Sequence, residues 1–453
     1  MPGLFGQLSM AARSLEAQTA GLDVTGQNMA NLNTPGYARR RLGLAEVVYG
    51  AKGVEVTGTR ALRDRVLDSR VRAAIPDETR EGALLDALSL VETNIGAPGQ
   101  GIDARLAAFF DSMSALSVDP TSATARDGVV LEAGRLTASF NDVARRLTDS
   151  GRAADNGVRE AVNEVNALAA KIAKINEQIG SGGGGLDIEG LKDQQTLAIE
   201  ELSTLTAVSV LARKDGGVDV TIPSGRALVI GSSNYDVQVG TGANGYATLT
   251  LGTANVTAEF TTGRIGGLSY ARDTLIPGYQ TRLDELAYGV AQEVNALHQT
   301  GFDLSGTAGG DFFTPPAAVA GAAANLSVGA AVQADPSLIA ASQTGAPGDN
   351  GIARALADLR DRKTLLGGSA TFTEGWAQLA YHVGSDVDTA RAEQQAKHTV
   401  AQEVGRLRDQ VSGVSLDEEA ASMLKFQRAY EANAKYFTAV DDTLQVLMNL
   451  VRA

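Results

Sequence analysis

From Leu416 onward every seventh residue is apolar: Leu416, Met423, Tyr430, Phe437, Leu444 and Val451. Phe426, Val440 and Leu447 form a second row three residues on from the first. That spacing is the seam of a helix that lies lengthwise on another helix. It recurs at the start of the chain in Leu8, Leu15, Leu22 and Met29, with Leu4 and Ala11 beside it. Matched seams at opposite ends of 453 residues predict that the chain doubles back and pairs its ends.

The last helix is expected over 415–451. Ser415 with Glu418 reads as a capping box, and Asp417, Glu418 and Glu419 place negative charge at the positive end of the helix dipole. Adjacent acids on a first turn point in different directions, and no His or Cys stands near them, which argues against a metal site. The first helix is expected over 4–33. Pro35 disfavours helix at Thr34, and Pro35-Gly36 then signals a turn. This helix carries only Arg13, Glu16 and Asp23 as charges. A helix facing water on three sides usually carries more, so the small uncharged surface suits packing among copies of itself.

Between the ends the period changes twice. Residues 44–59 alternate around Gly50-Ala51-Lys52-Gly53 and read as extended. A short helix follows from about 60 to 74 and is expected to stop at Pro76. Helical spacing fills 77–207: Leu84 to Ile95, Ile102 to Met113 after Gly96-Ala97-Pro98-Gly99, Val129 to Leu147, and Val158 to Ile179. Ser181-Gly182-Gly183-Gly184-Gly185 lacks the Gly-Lys-Ser/Thr ending of a phosphate loop and reads as a bend. Over 208–263 the period is two, with Val218, Val220, Ile222, then Val237, Val239, then Leu249, Leu251, each set bounded by Gly, Asn and Pro. Helix returns at Leu283–Leu297. Residues 301–350, rich in Gly, Ala and Pro, are expected to run extended over the bundle. Ile352–Leu359 and then Trp376–Val411 complete it, and Gly413 separates the last helix.

The expected fold is mainly α with a small antiparallel β insert. It has paired terminal coiled-coil helices (1–43 and 412–453), a linker with a hairpin and short helix (44–76), and a discontinuous elongated bundle (77–207 and 264–411) around the insert (208–263). At about 1.5 Å per residue the terminal helices alone are roughly 45–55 Å long.

Composition closes several routes. A net charge of -14 makes nucleic acid an unsuitable partner. The basic run Arg39-Arg40-Arg41 reads as a solvated loop. There is no cysteine, hence no disulfide and no thiol chemistry. No stretch of 18 apolar residues predicts a membrane span, and no basic-then-apolar start predicts a cleaved signal. The three histidines, His298, His382 and His398, lack metal-ligand spacing. No cofactor, metal or catalytic residue is expected.

The run from Asn28 through Ala30, Asn31, Thr34 and Gly36 to Tyr37 resembles a signature of the bacterial flagellar axial proteins, the family of rod, hook and hook-associated subunits. Gln427, Ala429, Tyr430 and Asn433 resemble the matching signature at the other end. Gln27, where the family often has a second Asn, departs from it. Gly36-Tyr37-Ala38-Arg39, Gly413 to Ala420, Asn295 to Asp303, Gly309 to Phe313, and Asp119-Pro120 with Arg126 and Phe140-Asn141 are similar to the hook-associated branch. The resemblance covers both ends and most of the bundle, not the β insert. It implies a non-enzymatic tubular assembly outside the cell, with the terminal helices lining a channel. It also implies self-association in a ring, contacts with the hook protein and a second junction protein, unfolded export by the flagellar type III apparatus, and a cytoplasmic chaperone at the C-terminal region.

Periodicity alone leaves pairing within one chain and pairing between chains equally open. Burying a seam residue contributes roughly 1.5–3 kcal/mol, while ordering each residue costs about 1–2 kcal/mol of backbone entropy, so a helix covered on one stripe hardly breaks even. An envelope hydrolase would need a positioned acid pair or a nucleophile with its base. A hook or distal rod subunit would share the terminal signatures.

Overall fold

The computed structural model describes residues 3–47, 53–96, 99, 101–182, 187–365 and 367–452. The turn at 50–52 and Gly183–Gly185 of the glycine bend lie outside them. Helix α1 (Leu4–Ala30) ends near the expected point. Thr34-Pro35-Gly36-Tyr37 then makes a tight turn: the Tyr37 N–H donates to the Thr34 carbonyl, and Gly36 has φ +76. Pro at the second position and a left-handed Gly at the third are the requirements of a type II turn. Strands β1 (Arg40–Glu46) and β2 (Val54–Ala61) form the hairpin, with a bulge between Gly43 and Leu44.

Helix α2 runs without interruption over Arg65–Ile95, so the expected stop at Pro76 is wrong. Asp64 starts it by accepting from the Val66 and Leu67 amides. Proline removes one helical donor, but Pro76 is buried and α2 lies along α11 (Phe372–Ser412), so packing carries the helix across the missing bond. Helix α3 covers Ile102–Val118. Two helices were expected next; the structure has one, α4, with 58 residues over Ala123–Gly180. Two glycines between the expected pair serve close approach. A Cβ on Gly151 would lie 2.5 Å from the Tyr246 hydroxyl, and one on Gly157 would lie 2.8 Å from Leu268 Cδ1. At 1.5 Å per residue α4 is about 85 Å long.

Helix α5 (Ile188–Leu205) precedes the β insert. There β3 (Ser209–Ala212), β4 (Val218–Thr221), β5 (Ala227–Ile230) and β6 (Ser233–Asn234) form one antiparallel sheet. β7 (Val237–Thr241), β8 (Ala247–Leu251) and β9 (Ala254–Asn255) form another. Helix α6 (Gly263–Tyr270) passes through a π-helical turn, Ala271–Leu275, into α7 (Ile276–His298). Helices α8 (Ala322–Asn325), α9 (Ala330–Ala334) and α10 (Gly351–Asp358) are short. Helix α11 begins with a capping box between Thr371 and Glu374, and α12 (Leu416–Arg452) closes the chain.

Two main cores result, and α4 runs through both. Its Val129–Leu147 stretch packs with α2, α3, α7 and α11 around Phe109, Phe110, Phe312 and Phe372. Its Val158–Ala173 stretch packs with α5 and both sheets around Val220, Leu228, Leu249 and Ile265. Between them Asp155 accepts from the Ala247 amide at 2.7 Å and from Arg272 at 2.6 Å. Arg272 is 2% exposed and also lies over the Tyr246 ring. Burial works against charge on Asp155, but the Ala247 amide and the Arg159 and Arg272 guanidiniums outweigh it, and the carboxyl sits below its usual range.

The expected surface path of 301–350 is corrected as well. Phe312, Phe313, Ala323 and Ile339 belong to the first core. Their backbone is bonded by residues from the helices. Asn295 exchanges hydrogen bonds with the Phe313 N–H and carbonyl, Asn141 donates to the Ala323 and Leu326 carbonyls, and Arg126 donates to the carbonyls of Pro336, Ser337 and Ile339. With its polar backbone satisfied, a loop can be buried.

Candidate assembly surface

Helix α1 lies antiparallel on α12. Gly21 faces Phe426, so closely that a Cβ would be 2.4 Å from the ring, and Asn28 donates to Glu419. Seven residues forward on α1 thus answer seven back on α12. Carried on at that register, α1 runs out opposite Thr443, and Val446, Leu447 and Met448, between 43% and 60% exposed, overhang it.

The buried row of α1 is Ala11, Ala17, Gly21, Val24, Thr25 and Asn28, a line of mostly small residues. The predicted row, Leu8, Leu15, Leu22 and Met29, flanks it and is half-buried. On α12, Val440 is buried, while Met423, Phe426, Phe437 and Leu444 are half-buried. Leu416, Tyr430 and Leu447 are exposed, at 50%, 41% and 43%. The side chain of Val451 lies outside the described residues. A strict seven-residue row drifts by about 20° per heptad on a straight helix, which turns part of the predicted seam outward. Choosing residues by size also hid the line of closest approach, because the residue that meets Phe426 is a glycine.

The N-terminal signature is used inside the chain. Asn28 is 1% exposed. Its amide donates to the Arg40 carbonyl and to Glu419, and its oxygen accepts from the Arg40 N–H and the Tyr37 hydroxyl, so all four of its positions are filled. Asn31 donates to the Gln27 carbonyl and accepts from Thr34, finishing the helix. Gly36 lies against α5, where a Cβ would be 3.2 Å from Leu197. Ala30 is exposed. At the other end Asn433 bonds back to the Ala429 carbonyl, Ala429 is half-buried, and Gln427 and Tyr430 face outward.

The basic run is not a solvated loop; only Arg41 is exposed. Arg39 donates to Glu419 at 2.7 Å and pairs with Glu418, so acids placed by sequence at a capping box serve this contact. Arg40, 8% exposed, reaches Asp187 at 2.5 Å and Asp193 at 3.4 Å and lies over the Tyr37 ring. Arg63 pairs with Asp193, and Arg408 with Glu200 at 2.6 Å. Burial pushes the Asp193 and Glu200 carboxyls up despite these arginines. A cleft of about 390 Å³ opens here between the Thr34–Ala38 turn, Thr196, Glu200, Arg408 and Ser412. Among the described residues no helix is long and apolar enough to cross a membrane, and no group of three His, Asp or Glu could hold a metal.

Residues 88–313 match the model of the flagellar hook-associated protein FlgK helical domain, a range that runs through the β insert which the motif resemblance did not reach. Residues 408–450 match that of the flagellar basal body rod FlgEFG protein C-terminal region. Flagellar hook-associated protein 1 of Bacillus subtilis is 29% identical over 99% of both chains, and that of Escherichia coli is 23% identical over 98% of this chain and 99% of its own. The solved structure of the flagellar hook junction protein FlgK from Burkholderia pseudomallei shares the fold, with a TM-score of 0.68 at 16% identity over 76% of this chain and all of that one. The helical bundle, the paired termini and the full-length similarity agree: the chain belongs to the family of flagellar hook-associated protein 1.

Proposed function

We propose that this chain is a structural subunit of the bacterial flagellum, forming the junction between hook and filament and needed for filament assembly and swimming. The observation that carries this is the half-covered terminal pair in a chain similar along its whole length to hook-associated proteins 1. Exposed Leu416, Leu424, Tyr430, Tyr436, Val446, Leu447 and Met448 ride on α12, with Phe5 on α1. Apolar surface of that extent on one helix pair calls for cover by other chains. Of the expected seam, the exposed Leu416, Tyr430 and Leu447 and the half-buried Leu8, Leu15, Leu22, Met29, Met423, Phe437 and Leu444 are the proposed contact surface between neighbours, whereas Val440 is buried and Phe426 packs on Gly21 within the chain.

The reading is non-enzymatic. The partners are copies of the same chain in a ring, the hook protein below and a second junction protein above, with an export chaperone engaging the C-terminal region before secretion. Deletion followed by microscopy tests it. Hooks without filaments, and flagellin lost to the medium, are the expected result. Normal filaments on the deletion strain would overturn it, and long homopolymers of the purified chain would point to a hook or rod subunit instead.

A further inference from the structure

We propose that the cluster around Asn28 and Arg40 is a closure in three parts, formed only when the N-terminal turn, helix α5 and the first turn of α12 are together, so that ordering on one side is felt on the other. The three parts are distant in sequence and meet at one place. Arg39 reaches Glu419 across 380 residues, and Arg40 reaches Asp187 across 147.

Each part leaves buried groups of the others without partners if it departs. Without α12, Asn28 loses one of two acceptors and Arg39 loses both carboxylates. Without α5, Arg40 is a buried charge with no carboxylate, and its own backbone N–H and carbonyl are what hold Asn28. Buried charges and amides left in that state are costly, and a network closes or opens more nearly as a unit than its separate bonds would. Asn28 is the element common to both halves. The Tyr37 hydroxyl on its oxygen, and the Arg40 guanidinium over the Tyr37 ring, tie the halves again by a second path. Glu419 therefore acts on α5, and Asp193 acts on α12.

The test needs only the soluble full-length chain and is independent of the assembly role. Amide hydrogen exchange is followed in the wild type and in Glu419→Ala, Glu419→Gln and Asp193→Asn. In Glu419→Ala, exchange is expected to rise at least about tenfold at Arg39 and Arg40 and also along Leu191–Leu197 of α5. Glu419→Gln, which keeps an acceptor for Asn28, falls between. Asp193→Asn speeds exchange over Glu419–Phe426 of α12. The amides of α3, in the other core, keep their rates. An effect of Glu419→Ala confined to α12 and residues 28–40, an unchanged α12 in Asp193→Asn, or an equal rise in α3 that marks global unfolding would each overturn the closure.

Discussion

Helix α4 buries a side chain on nearly every turn between Arg126 and Ile179, whereas on α12 only Glu419 and Val440 are buried among the described residues. Both are long and both carry an apolar stripe. The difference lies in what surrounds them: α4 packs against α3, α5, α6, α7 and the β insert, α12 against α1. Backbone entropy of about 1–2 kcal/mol per residue opposes both helices alike. Only α4 recovers it within one molecule, at roughly 1.5–3 kcal/mol for each large apolar side chain buried. A periodic stripe thus says that a helix has a partner face, and burial says whether the partner is already present.

The largest expected contrast comes from one aromatic on each helix. Phe140, at 0% exposure in α4, should cost about 3–5 kcal/mol of monomer stability when changed to Ala, read by chemical denaturation. Phe437→Asp on α12 should leave that unfolding curve in place yet abolish assembly and swimming. A swimming Phe437→Asp strain would break the comparison. Exchange on the free monomer sharpens it: amides in 4–30 and 416–451 are expected to exchange orders of magnitude faster than those of 129–147 and 158–173. Strong protection at both ends would mean that the terminal pair is complete alone.

Two glycines give a smaller contrast. A Cβ on Gly267 of α6 would sit 2.2 Å from the Arg80 carbonyl, a backbone atom of α2 that cannot swing aside. Gly267→Ala should therefore cost about 1–3 kcal/mol. Gly21 meets the end of the Phe426 ring, which is half-buried and free to turn, and alanine brings about 1 kcal/mol of helix propensity. Gly21→Ala should shift thermal unfolding by little, with a shift as large as that of Gly267→Ala counting against an incomplete terminal pair.

What could be read from the residues alone follows the same line. The terminal seams and the β insert are local patterns, and Val218, Val220, Ile222 and Leu249 are buried as their alternation requires. Helix α2 through Pro76 and α4 through Gly151 and Gly157 were not legible, because Tyr246, Leu268 and α11 decide them and stand far off in sequence. The joint was legible only as a signature. Asn28 and Tyr37 could be read as signature residues on either side of a Pro-Gly turn but not as partners, and nothing in Arg39-Arg40 announces carboxylates 380 and 147 residues away.

The smallest effect separates the bundle from the rest by pH. His298, at 0% exposure, bonds through Nδ1 to the Gly310 carbonyl and accepts the Ala340 N–H on Nε2, so the folded chain holds it neutral. Burial lowers its pKa below the ordinary 6.5, against the pull of Gly310 and Asp311. The unfolded chain therefore binds a proton that the folded chain refuses. The stability this site contributes is fully present above about pH 6.5 and is lost as pH falls below it, down to the folded pKa. Asp193 and Glu200, raised by burial at the joint, slope the other way at lower pH, so the quantity to measure is the difference between wild type and His298→Gln. Denaturation of both chains from pH 8 to pH 5 should show the wild type losing its margin over His298→Gln as the solution is acidified. Parallel curves across that range would mean that the imidazole takes up its proton without leaving the core.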